Sequence, residues 1–305
     1  MAENAPACRH LLDARGAAAS GVYLCPGDAP LVLFRTGAVS ASVRVSRGGI
    51  LCKTGRLKGY DLVFFSSIRK ETVPRYLYSD RLPRVLEAAG YAGFRFAAID
   101  LEHASYGTET LVHMIRAGEA AGMSMLARVP ALDAVWIKKS LDMGASGIIV
   151  PNIDTPEQAA EAVRLCRFTP EGIRGACPGV RANRYGAGGS EYYRLANENT
   201  AVIPLVESAE GVRNFAEIVR TPGISAVFLG PVDLSVSMGL CGDLEAPEVK
   251  DALLSMIRLA NAAGVPVGAL GLDPVFVKKL FREGLDFLAY GIDTILIIGC
   301  AGIWQ

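Results

Sequence analysis

From Phe96 onward the chain repeats one pattern: a short unbroken apolar run, then a longer stretch with apolar residues every three or four positions. The runs fall at 96–100, 124–128, 147–150, 201–206, 225–229, 265–269 and 286–290. Runs of this length without in-and-out alternation predict strands covered on both faces, as in a parallel sheet. The 3.6-residue period between them predicts helices at 107–121, 133–143, 156 to about 167, 209–220, 247–262 and 273–283. Leu111, Met114 and Ile115 share one face of the first. Thr155-Pro-Glu-Gln158 has the form of a capping box with proline at the first helical position. A last apolar helix, ending Ile295-Leu-Ile-Ile-Gly-Cys-Ala-Gly-Ile-Trp304, starts near Asp293.

These are seven strand–helix units, and an eighth fits at 75–90. There Arg75–Tyr78 precedes a helix that stops at Gly90. Leu62–Phe65 competes for the place of first strand, but 75–78 keeps the connection short. Eight such units predict an α/β fold of the (β/α)8 TIM-barrel kind rather than an open dinucleotide-binding sheet. No Gly-x-Gly-x-x-Gly follows the early strands, which points the same way. The expected division is a catalytic barrel over 61–305 and an N-terminal extension over 1–60. The extension has strands suggested around the Pro26-Gly-Asp28 turn and over Ser40–Ser46, as a small β appendage.

Composition narrows the function. Lys+Arg and Asp+Glu both number 31 in 305 residues, so no net charge favours nucleic acid or an anionic membrane. No run of 18 apolar residues suggests a membrane span, and Glu3, Arg9, Asp13 and Arg15 interrupt any secretory core. The seven cysteines form no Cys-x-x-Cys pair and read as reduced, packed thiols of a cytoplasmic protein.

The charges that matter stand where apolar runs end. Asp100, Glu102 and His103 close the first run, Arg128 the second, Glu207 a later one, and Asp233 follows Gly230-Pro-Val232 after another. The carboxyl ends of strands are where β/α folds place their ligands. Two carboxylates completed by waters suit a hard divalent cation. Each group also has a plainer reading. Asp100 would cap a turn, Glu207 and Asp233 would cap helices, Arg128 would pair with a site acid, and Gly230-Pro-Val232 would be an ordinary turn.

Taken in order, Asp100-Leu-Glu-His103, Ala127-Arg-Val-Pro130, Val150-Pro-Asn152, Gly172-Ile-Arg-Gly175, Val206-Glu207 and Gly230-Pro-Val-Asp233-Leu-Ser235 resemble the HpcH/HpaI aldolase family over roughly 75–300. The resemblance implies a metal-dependent class II aldolase, of the 4-hydroxy-2-oxoheptanedioate or 2-dehydro-3-deoxyglucarate aldolase type. Such an enzyme cleaves a 4-hydroxy-2-oxo acid to pyruvate and an aldehyde through a pyruvate enolate, with Mg2+, Mn2+ or Co2+.

Residue by residue, the resemblance implies Glu207 and Asp233 as metal ligands. Arg128 would hold the 2-oxo group and its enolate. His103 would move the proton, oriented by Asp142. Gly230, Pro231, Val232, Asp233 and Ser235 would form the seat of the pyruvate carboxylate, and Asp100 and Glu102 would support the site from behind. Arg174, Cys177, Arg181, Asn183 and Tyr185 are expected in a long polar loop closing the pocket at the catalytic face. Leu205 stands where several family members carry a glutamine. The expected partners are a small 2-oxo acid and an aldehyde, with a dimer-based homo-oligomer, extending to a hexamer, as the assembly. Two other readings use the same residues: decarboxylation of oxaloacetate with trapping of the enolate, and a metabolite-binding barrel without turnover.

Overall fold

The computed structural model describes residues 31–36, 39–46, 49–52, 76–79, 83–105, 107–271, 274–289 and 292–293. By internal packing the chain divides into Met1–Gly59 and Tyr60–Gln305. In the first unit β1 (Leu31–Thr36), β2 (Val39–Ser46) and β3 (Gly49–Cys52) form an antiparallel meander. The alternation at 40–46 is β2. The sequence did not announce β3, whose four residues are too few to show a period. The turn expected at Pro26–Asp28 lies outside the described residues, as do the alternative first strand at 62–65 and the helix at 295–304.

The second unit is built on eight parallel strands that pair in chain order. These are β4 (Tyr76–Ser79), β5 (Phe96–Asp100), β6 (Ser124–Arg128), β7 (Gly147–Val150), β8 (Ala201–Val206), β9 (Val227–Leu229), β10 (Val267–Leu270) and β11 (Phe287–Ala289). Helices α1 (Pro83–Tyr91), α2 (Thr108–Ala120), α3 (Ala134–Asp142) and α4 (Pro156–Cys166) connect the first strands. Later come α5 (Glu191–Asn199), α6 (Ala209–Ile218), α7 (Pro231–Ser237), α8 (Pro247–Ala263) and α9 (Pro274–Arg282). Every strand predicted from 75 onward is present to within two residues at each end. Two helices were not foreseen: α5, inside the polar stretch expected as loop, and α7, directly after β9.

Successive side chains of a strand face opposite sides, and the core splits accordingly. Ala97, Ile99, Val202 and Val206 pack outward against helices, with Leu111, Met114, Ile137 and Phe215. Phe96, Ala98, Ile203, Leu205 and Phe228 point to the other side, where they form a second cluster. The sheet curls around that cluster. Phe96 of β5 meets Phe287 of β11 edge to face, with ring centroids 6.1 Å apart. Gly268 makes room for this ring, since a Cβ there would lie 2.1 Å from it. Residues of β4 and β11, the two edge strands, come within 8 Å of each other between Cα atoms.

Several helices begin with a side-chain cap. Asp133 accepts from the N–H groups of Val135 and Trp136, Ser208 accepts from Gly211, and Thr155 with Gln158 forms the expected capping box. Strand-to-helix turns therefore gather at the carboxyl ends of the strands, here called the mouth. Helix-to-strand turns gather at the opposite end. Among the described residues no helix is long and apolar enough to cross a membrane.

Candidate active site

Glu207 follows the last residue of β8 and is only 5% exposed. It does not cap α6, a task that falls to Ser208. Its Oε1 instead accepts a 3.0 Å hydrogen bond from the backbone N–H of Asn152. Asn152 has φ 54°, a left-handed conformation that asparagine tolerates better than most residues. That conformation follows from the chain turning at Val150-Pro-Asn152, and it was not foreseen. Burial, with help from the Asp233 and Glu102 charges, lifts the Glu207 carboxyl to about 7, against the Asn152 hydrogen bond and Arg128. Gly230 lies close by. A Cβ on it would stand 2.7 Å from Glu207 Cβ and Oε2.

Asp233 is not at a strand end. It is exposed, in the first turn of α7, a helix that Gly230 precedes and Pro231 opens. Proline has no N–H, so Val232 and Asp233 carry the first-turn N–H groups that have no acceptor within the helix. No side chain caps this turn. Glu207, Asp233, Arg128, Gly230, Pro231 and Val232 line one small cavity of about 50 Å³, with Leu205 and Phe228 also on its wall.

Asp100 and Arg128 are the last residues of β5 and β6 and stand opposite each other in the sheet register. The guanidinium spans the carboxylate, Nε to Oδ1 at 2.9 Å and Nη2 to Oδ2 at 2.6 Å. Both side chains are largely buried, at 11% and 13% exposure. Asp100 Oδ1 also accepts from the backbone N–H of Glu102, at 3.0 Å, and of His103, at 3.4 Å. The plain readings of Asp100 and Arg128, a turn cap and an ion pair, are thus both seen, and they leave the pair in the mouth. Arg128 Nη1 lies 3.2 Å from Glu102 Oε2, and His103 Nε2 lies 3.8 Å from the same oxygen. Burial pushes the Glu102 carboxyl up, partly offset by Arg128.

Some expectations need correction. Asp142 does not orient His103 within the chain. It ends α3, so it lies at the end of the sheet opposite the mouth, where Arg174 Nη2 holds it at 2.7 Å. The polar loop 167–190 also belongs to that end, because it leads from α4, by way of α5, to the start of β8. Arg174 donates to Tyr192, and Arg181 pairs with Glu119 and donates to the Met143 carbonyl. A larger cavity of about 820 Å³ opens there, bounded by the strand starts Ser124 and Ala201 and by Arg174, Arg181 and Tyr185. Its size does not mark the chemistry, since the converging acids are at the mouth. Ser235 is wholly buried. Two positions from Asp233 on α7, it does not share a face with it. Of the described cysteines, Cys166 is packed as expected, with its thiol pushed up to about 12 by burial, but Cys177 and Cys241 are exposed.

A curled parallel sheet with acids and an arginine gathered near its strand ends is where α/β enzymes place a site, and the comparisons give the class. Residues 77–299 match the HpcH/HpaI aldolase/citrate lyase family. The chain is 34% identical over 215 residues to 2-dehydro-3,6-dideoxy-6-sulfogluconate aldolase of Pseudomonas putida, covering 70% of this chain and 84% of that one. It is 35% identical over 211 residues to 5-keto-4-deoxy-D-glucarate aldolase of Klebsiella pneumoniae, covering 69% and 82%. Among solved structures, an HpcH/HpaI aldolase/citrate lyase family protein from Burkholderia cenocepacia superposes with a TM-score of 0.73 at 33% identity, over 78% of this chain and 96% of that one. The protein belongs to the HpcH/HpaI aldolase/citrate lyase family and is a carbon–carbon lyase.

Proposed function

We propose that the protein is a divalent-metal-dependent aldolase that cleaves a 4-hydroxy-2-oxo acid to pyruvate and an aldehyde at the mouth of a closed (β/α)8 barrel. Closure is supported by the approach of β4 to β11 and by Phe96 meeting Phe287. The catalytic domain is 61–305, with 1–60 an appendage. The observation that carries the function is the gathering of Glu207, Asp233, Arg128 and the Gly230-Pro-Val232 turn around one cavity at the strand ends. The two relatives are named for dehydro-deoxy sugar acids, the first substrate class to try. We also read the enzyme as a cytoplasmic, dimer-based homo-oligomer. That assembly rests on the apolar 295–304, outside the described residues, and light scattering measures it.

The donor set fits a hard cation. Glu207 is buried yet raised to about 7 by its surroundings, with two further carboxylates acting on it, so the site is short of positive charge. Among the described residues no group of three or more His, Cys, Asp or Glu is spaced to hold a metal. Glu207 and Asp233, which line the same cavity, would hold the ion as a pair, with oxygens of water and substrate completing the shell. Mg2+, Mn2+ or Co2+ bound there supplies Lewis-acid polarisation of the 2-oxo group.

The chain's own groups do the rest. The N–H groups of Val232 and Asp233 receive the substrate carboxylate. Arg128, fixed by Asp100 along its Nε–Nη2 edge and facing Glu102 through Nη1, directs its charge to the 2-oxygen, where charge develops. His103 takes the proton of the 4-hydroxyl. The C3–C4 bond breaks, the aldehyde carbonyl forms at C4, and the electron pair becomes the C2–C3 double bond of the enolate, with charge on the 2-oxygen. Protonation at C3 then gives pyruvate. Lys138 and Lys139 are on α3 rather than at a strand end, so no Schiff base is invoked.

The experiment is incubation with a 4-hydroxy-2-oxo acid panel and Mg2+, following both products. Pyruvate and aldehyde are expected in equal amounts, lost on chelation and restored by Mg2+, Mn2+ or Co2+. Borohydride trapping of a pyruvate adduct on a lysine would contradict the reading, as would carbon dioxide release without aldehyde.

A further inference from the structure

We propose that Asp154 is a positioning residue that aims Glu207 at the metal, acting through the turn that joins β7 to α4. The inference rests on the reading of Glu207 as a metal ligand. Glu207 Oε1 accepts from the Asn152 N–H at 3.0 Å. Oε2 lies on the side of Gly230, which precedes α7 and its Asp233. The Asn152 N–H thus fixes the rotation of the carboxylate and leaves Oε2 for the ion. A left-handed backbone, φ 54°, aims that N–H. Such a conformation is disfavoured for a residue other than glycine and persists only where the surrounding structure holds it.

What holds it is a set of ties between residues 153–154 and the turn after β8. The two strands pair as far as Val150 and Pro204. Beyond them the Ile153 N–H reaches the Leu205 carbonyl at 3.2 Å. Ser208, next to Glu207, donates its hydroxyl to Asp154 Oδ1. Asn214 of α6 donates Nδ2 to the Asp154 carbonyl at 2.8 Å. The Asp154 N–H donates to Gln158 Oε1 of α4 at 2.7 Å. A serine hydroxyl has one proton and two lone pairs. With the proton on Asp154, a lone pair is turned to the Gly211 N–H, 2.9 Å away, and caps α6. The half-buried Asp154 is therefore held at its N–H, its carbonyl and its carboxylate. It fixes the Asn152 N–H on one side of Glu207 and the backbone just after Glu207 on the other. Loss of its carboxylate frees the turn to relax to ordinary backbone, and Glu207 Oε1 then loses its donor.

The test is calorimetry of Mn2+ alone binding to metal-free protein, beside thermal unfolding of the same proteins by circular dichroism. Asp154→Ala is expected to bind Mn2+ roughly 10–100-fold more weakly, the usual loss when a group behind a ligand is removed. Asp154→Asn, which keeps an oxygen for the Ser208 hydroxyl, is expected to recover most of that affinity. Equal loss in the two variants would show that Asp154 acts by charge alone and overturns the proposal. Wild-type affinity in Asp154→Ala beside a lowered melting temperature overturns it too, since the ties are then structural only. Should Asp154→Ala not fold, Asn214→Ala removes the tie on the Asp154 carbonyl instead. Weaker Mn2+ binding there supports the proposal and unchanged binding overturns it. Glu207→Gln separates the two levels. If it binds Mn2+ as wild type does, the metal reading fails and the proposal with it. If it loses Mn2+ while Asp154→Ala keeps it, only the positioning by Asp154 fails.

Discussion

Glu207 shows what the mouth costs one residue. Its carboxyl is lifted to about 7 by burial and by neighbouring acids, against an ordinary value of 4.5. An acid with a raised folded-state pKa binds more protons folded than unfolded between those two values, so stability falls as pH rises through the window. The gap corresponds to roughly 3 kcal/mol of lost stability by pH 8 in the metal-free protein. Metal-free wild type is thus expected to melt at a lower temperature at pH 8 than at pH 5, by a margin that shrinks in Glu207→Gln. Equal pH dependence in the two proteins would show that Glu207 is not so raised. The charges Asp100, Arg128 and Glu207 were legible in the sequence because strand ends are where isolated charge is conspicuous, and Asp233 because it stands just past the Gly230-Pro-Val232 stretch that closes an apolar run. Asn152 was not, because its contribution is a backbone N–H and a left-handed φ. The Arg174–Asp142 pair was not either, since it joins residues 32 positions apart across two elements.

The strands were the legible elements: unbroken apolar runs leave little choice of structure. Helix α7 was not, because seven residues opening on Gly-Pro look like a turn, and α5 was hidden by its polar composition. Yet α7 carries Asp233 and the two free N–H groups, so the least readable element holds half of the proposed metal site. Its approach to β8 depends on Gly230. Gly230→Ala would place a methyl 2.7 Å from Glu207 Cβ and Oε2. The expected result is weakened metal binding and slowed cleavage in a protein that still folds, read by calorimetry beside circular dichroism. Metal affinity equal to wild type would mean that the Glu207–α7 spacing is not what holds the ion.

At the scale of the molecule, connection order decides which end does chemistry. A strand-to-helix turn lies at the mouth and a helix-to-strand turn at the opposite end. The 167–190 loop could have been assigned to the far end from the sequence alone, since it leads from α4 toward β8. The arginines in it, and the large cavity they border, invite a misplaced active site. The account places the metal on Glu207 and Asp233 and the proton on His103, both at the mouth and separable from each other. Calorimetric metal binding and cleavage rate, measured together on two variants, test that claim most directly. Asp233→Asn is expected to lose metal affinity and activity together, because a neutral amide is a poorer ligand for a hard cation. His103→Ala is expected to bind metal and pyruvate nearly as wild type and to cleave about 10²–10⁴-fold more slowly. If His103→Ala loses metal as severely as Asp233→Asn, His103 is a ligand and the division of labour argued here is wrong.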